Sequence, residues 1–79
     1  MNNELFLRKL AARIKQIRTE KGLTQQEFAV MLDYEKSNMS RLESGKVNPR
    51  IATLNEVAKV LEISLPELVD VDEQKRGKK

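Results

Sequence analysis

Residues 23–46 read LTQQEFAVMLDYEKSNMSRLESGK, and the fold turns on how this stretch is divided. Thr24-Gln25-Gln26-Glu27 has the form of a capping box. Its first hydroxyl meets the N–H of the fourth residue, whose carboxylate reaches back to the first. Phe28, Ala29 and Leu32 then face inward at helical spacing. Asp33 falls in a short turn, and a further helix is predicted over Lys36 to Ser44, where Gly45 supplies a left-handed stop. The pattern is two short helices joined by a three-residue turn.

The second helix of this pair has no apolar residue on its outer face. With Met39 turned to the core, Leu42 falls about 60° to one side and Glu43 about 40° to the other. Ser37 and Arg41 land near the opposite pole, with Ser40 and Ser44 beside them and Asn38 and Lys36 toward the N-terminal end. Small polar side chains allow close approach. Arg pairs bidentately with guanine, Asn with adenine, and Ser with donors or acceptors on base edges. An ordinary solvated face has a similar composition, so the wheel alone leaves both readings open.

Working outward, Leu7, Leu10, Ile14 and Ile17 keep a helical period, with Arg8, Lys9, Arg13 and Lys15 elsewhere on the wheel. That first helix is predicted to end near Lys21, before Gly22. Beyond the turn at Asn48-Pro49, Ile51, Leu54, Val57, Ala58 and Leu61 mark the inner face of a fourth helix. Ser64-Leu65-Pro66-Glu67 is a second capping box, opening a short fifth helix that carries Leu68 and Val69. No alternating β pattern competes. The expectation is an all-α, five-helix domain over residues 1–69, followed by a charged, disordered tail over 70–79.

Composition narrows the function classes. Seventy-nine residues allow one domain with a small core. Cys and His are both absent, which removes thiolate metal sites, disulfides and the commonest catalytic base. No metal, cofactor or small-molecule effector site is expected, and an enzyme is the least favoured class. No apolar run approaches a membrane span or a signal-peptide core, so the expected location is the cytoplasm. The net charge of +3 is unevenly spread. Glu4 to Lys21 holds six bases and two acids, Gly22 to Glu35 three acids and no base, and Lys36 to Arg50 four bases and one acid. A basic face of this kind is the electrostatic footprint of a nucleic-acid binder.

An ordered set of residues makes the reading specific. It comprises Gly22-Leu23-Thr24-Gln25, Ala29, Met39-Ser40-Arg41-Leu42-Glu43 with Gly45-Lys46, Asn48-Pro49, Thr53-Leu54, Val57-Ala58 and Leu61. In this order and spacing the chain resembles the Cro/phage-repressor type of helix-turn-helix domain, from about Ile14 to Leu68. The resemblance implies a compact lambda-repressor-like fold whose second motif helix enters the DNA major groove while the first lies across the backbone. It assigns base reading to Ser37 and Arg41, with Lys36, Asn38 and Ser40 after them. It assigns phosphate contacts to Gln25 at a helix N-terminus and to Lys46, Asn48 and Arg50 in the following loop. Arg18 and Glu43 match positions that similar proteins join as a buried ion pair. The inward turn of Glu43 on the wheel agrees with that structural role.

Three residues depart from the pattern. Asp33 stands where Gly is usual, Tyr34 where a smaller aliphatic is expected, and Glu35 where the recognition helix usually has a Ser or Thr cap. Tyr34 is expected to pack its ring inward, with the hydroxyl left for a phosphate.

The functional expectation is a sequence-specific, double-stranded-DNA-binding transcriptional regulator. It would act as a repressor, as a homodimer on a palindromic operator with half-sites about one helical turn apart. Ile63, Leu68 and Val69 form the expected dimer patch, which Leu5 and Phe6 would extend. The alternatives on the same scaffold are an antitoxin that binds a toxin partner and a restriction-modification controller.

Overall fold

The structure, a computed structural model, describes residues 2–71. Five helices follow one another: α1 (Asn3–Glu20), α2 (Gln25–Met31), α3 (Lys36–Ser44), α4 (Ile51–Leu61) and α5 (Leu65–Val69). Among the described residues there is no strand.

Local chemistry sets most of the boundaries. Asn2 caps α1 through a bond from the Leu5 N–H to its side-chain oxygen, 2.7 Å long. Thr24 and Ser64 both form complete capping boxes, with Glu27 and Glu67 respectively. At Ser64 the backbone N–H and then the hydroxyl hold the Glu67 carboxyl below its ordinary pKa. Gly22 (φ 79°) and Gly45 (φ 80°) turn the chain left-handed after α1 and α3. Asp33 does the same within the motif turn at φ 56°, where the Tyr34 N–H donates to the Ala29 carbonyl at 2.8 Å. Asp is among the few residues with a side chain that enter this region readily.

The two glycines do different work. A Cβ on Gly22 would meet nothing within 4 Å, whereas one on Gly45 would lie 3.0 Å from the Arg8 Cα and 3.4 Å from the Leu7 carbonyl oxygen. Gly45 therefore permits the end of α3 to rest on the backbone of α1. Gly22→Ala is expected to destabilise by about 1–2 kcal/mol through its backbone conformation alone. Gly45→Ala adds a backbone collision, so its melting temperature should fall clearly below that of Gly22→Ala. Matched melting curves would show that α1 and α3 separate without penalty.

α1 packs on α3 and α5, α2 on α3, and α4 on α5. Phe28, Leu10, Ile14, Met39, Leu42, Leu61, Leu68 and Val57 are the largest fully buried side chains. The apolar stripes of α1 and α4 thus close over one core, and α3 contributes only Met39 and Leu42 to it.

Three placements correct the sequence reading. Leu68, expected in a dimer patch, is fully buried at the junction of α5 with the core. A five-residue helix is too short for its period to tell an inner from an outer face. Ile51, expected inward, is 66% exposed, because the first residue of α4 precedes the part of that helix covered by neighbours. Val71 is buried in the core, so packing continues two residues past the expected boundary at residue 69. The rest of the expected tail, residues 72–79, lies outside the described residues.

Candidate nucleic-acid interface

α3 is held by its inner side and left open on its outer side. Met39 and Leu42 are buried, while Lys36, Ser37, Asn38, Ser40 and Arg41 are all exposed. Among the described residues no partner takes up the side chains of these five. Ser44 is also exposed, but its hydroxyl donates to the Arg41 carbonyl at 3.0 Å and is thereby tied to its own helix.

The end of the helix adds to this. α1, α2 and α5 each have a side-chain cap, whereas Glu35 makes no cap bond to α3 and Arg50 none to α4. The first N–H groups of α3 and α4 thus keep their unmet donors, which are suited to anionic oxygen.

Two shallow clefts flank α3. Gln25 and Lys36 line one, between α2 and the start of α3, together with Gln26 and Val30. Asn38, Asn48 and Arg50 line the other with Tyr34 and Thr53. Of the residues expected to hold phosphate, Gln25 is therefore placed on one side of α3 and Asn48 and Arg50 on the other. Lys46 is exposed but lines neither cleft. Tyr34 is partly buried against the core and borders both clefts.

Behind α3 lies a buried polar cluster. Arg18 Nε donates to Glu43 Oε2 at 2.7 Å, and Arg18 Nη2 to Glu43 Oε1 at 3.1 Å. The side chains are 8% and 3% exposed. Arg18 Nη1 also donates to the Leu23 carbonyl at 2.7 Å, and Gln25 Nε2 to Glu43 Oε1 at 3.1 Å. One fork thus ties the end of α1, the start of α2 and the end of α3. The bond from Gln25 is not legible in sequence, since its partner lies 18 positions away and no periodicity links them.

Ile63 and Val69 are partly buried and pack against the core edge, as does Phe6, while Leu5 is 37% exposed. Among the described residues no group of acidic side chains could hold a metal ion, and no helix is long and apolar enough to cross a membrane.

A family model described as helix-turn-helix matches residues 14–68. An uncharacterized HTH-type transcriptional regulator of Sinorhizobium fredii, y4dJ, is 41% identical over 64 residues, spanning 80% of this chain and 83% of that protein. Two longer curated relatives are matched over only 30% and 34% of their own length. The crystal structure of the master regulator for biofilm formation SinR in complex with DNA is similar at a TM-score of 0.70 and 39% identity, over 77% of this chain and 98% of that one. The restriction-modification controller protein C.AhdI from Aeromonas hydrophila is similar at a TM-score of 0.74 and 31% identity, over 78% of this chain and 94% of that one.

Proposed function

We propose that this chain, which belongs to the helix-turn-helix family of DNA-binding transcriptional regulators, is a sequence-specific repressor working as a homodimer on a palindromic operator. The observation that carries this reading is the outer face of α3, where Lys36, Ser37, Asn38, Ser40 and Arg41 are exposed and their side chains meet no partner among the described residues. Ser37 and Arg41 take the central base-reading positions, flanked by Lys36, Asn38 and Ser40. Gln25 on one side and Lys46, Asn48 and Arg50 on the other grip phosphates, fixing register without choosing sequence. A similar chain, SinR, is known in complex with DNA, which supports the same use of the surface here.

One small recognition helix touches few base pairs, and two copies on a two-fold site double the contact. Ile63 and Val69 are the residues of the expected patch that keep surface for a partner, Leu68 having gone to the core. Repression needs only occupancy of a promoter, which such a dimer supplies. A role as a restriction-modification controller is the second reading, favoured by the likeness to C.AhdI over most of that protein's length.

Footprinting the purified protein on the DNA upstream of its own reading frame, at moderate salt, tests the proposal. Two protected half-sites about one helical turn apart are expected. Weak uniform protection that vanishes as salt rises would reduce the activity to phosphate binding and overturn the operator reading.

A further inference from the structure

Glu43 accepts three hydrogen bonds, one more than its ion pair with Arg18 requires. Oε1 takes both Arg18 Nη2 and Gln25 Nε2, each at 3.1 Å. Gln25 is the first residue of α2 and is only partly buried, while the Glu43 side chain is 3% exposed. A primary amide has two ends of opposite character: the nitrogen donates and the oxygen accepts. A DNA phosphate only accepts. An amide rotated by half a turn would offer it a carbonyl and repel it.

We infer that Glu43 is a positioning residue for DNA binding, pinning the Gln25 amide so that its nitrogen, with a second hydrogen still free, stands ready for a phosphate. The inference rests on the DNA-binding reading above. A carboxylate accepts and does not donate, so the flipped amide would set oxygen against oxygen. Arg18 occupies both carboxylate oxygens and leaves Oε1 aimed at Gln25. The rotamer that binds phosphate is thus populated before DNA arrives, and its ordering is not charged against binding. Glu43 achieves this from the interior, with no contact of its own to DNA.

The test is a mutant cycle on the full chain, read by fluorescence anisotropy with the footprinted upstream duplex. Gln25→Ala is expected to weaken binding about tenfold per protomer in the parent chain, the scale of one charge-assisted hydrogen bond, and so about a hundredfold for a homodimer that loses two. In the Glu43→Met background, which leaves the amide no acceptor at this position, the same change should weaken it by about twofold or less. Arg18→Met/Glu43→Leu, which replaces the buried pair with apolar groups of similar size, provides a second folded background. In the DNA-free protein, the Gln25 side-chain NH2 resonances should be dispersed in the parent and move to free-amide positions in both backgrounds. Equal losses from Gln25→Ala in every background would overturn the positioning role while leaving the DNA-binding reading intact. Free-amide resonances in the parent would do the same. Absence of any protected site with the parent chain would instead remove the DNA-binding reading, and this inference with it.

Discussion

Glu43→Ala is expected to lower the melting temperature by more than about 12 °C, while Arg41→Ala, two positions earlier on the same helix, should move it by only about 2 °C. The contrast follows from what each side chain leaves behind. Truncating Glu43 strands the Arg18 guanidinium, which is 6% exposed as a residue and would keep only the Leu23 carbonyl as acceptor. Removing one partner of a buried pair costs about 3–5 kcal/mol, because the remaining charge has neither water nor counter-charge. For a domain of this size each kcal/mol corresponds to roughly 4–8 °C. Arg41 is exposed and its side chain makes no bond among the described residues, so its removal costs the fold almost nothing. The double variant Arg18→Met/Glu43→Leu should recover most of the lost stability, since a buried pair replaced as a unit leaves no stranded charge. Thermal unfolding followed by circular dichroism separates these outcomes. Coincident curves for Glu43→Ala and Arg41→Ala would show that the Arg18–Glu43 fork contributes nothing to stability.

What the sequence made legible follows from the range of each interaction. The Thr24 and Ser64 capping boxes and the Gly45 stop are contacts between residues at most four apart, so spacing alone reveals them. The inner and outer faces of α3 follow from one periodicity, because nine residues cover more than two turns. Leu68 and Ile51 were misplaced because burial at the end of a helix depends on which other element covers it. Glu62 ends α4 left-handed at φ 62° without the Gly or Asn that usually announces such a stop. At the interface, the open residues of α3 were readable from the wheel. The link from Gln25 to Glu43 joins two helices through a side chain, and only the folded arrangement brings it into view.

The second large effect belongs to Arg41 and appears in binding rather than in stability. Arg41→Ala is expected to weaken operator binding by about 30-fold or more. One bidentate contact to guanine contributes about 1–3 kcal/mol of discrimination, and a homodimer loses two of them. Binding to scrambled duplex should barely change, because non-specific affinity comes from phosphate neutralisation. The gap between the two DNAs should therefore narrow by that factor, the remainder being kept by Ser37, Lys36, Asn38 and Ser40, and the salt dependence on the operator should keep its slope. Arg50→Ala provides the opposite pattern. Arg50 lies in the cleft beside Asn48, at the uncapped start of α4, where a backbone phosphate would sit. Its loss should weaken operator and scrambled DNA alike and reduce the salt slope by about 0.9 for each phosphate contact removed. Arg41→Lys should not restore the operator, since a lysine lacks the planar fork that matches guanine. If Arg41→Ala instead lowers both affinities equally and flattens the salt slope, Arg41 holds the backbone. The choice of sequence would then pass to Ser37, Asn38 and Lys36 on the same exposed face.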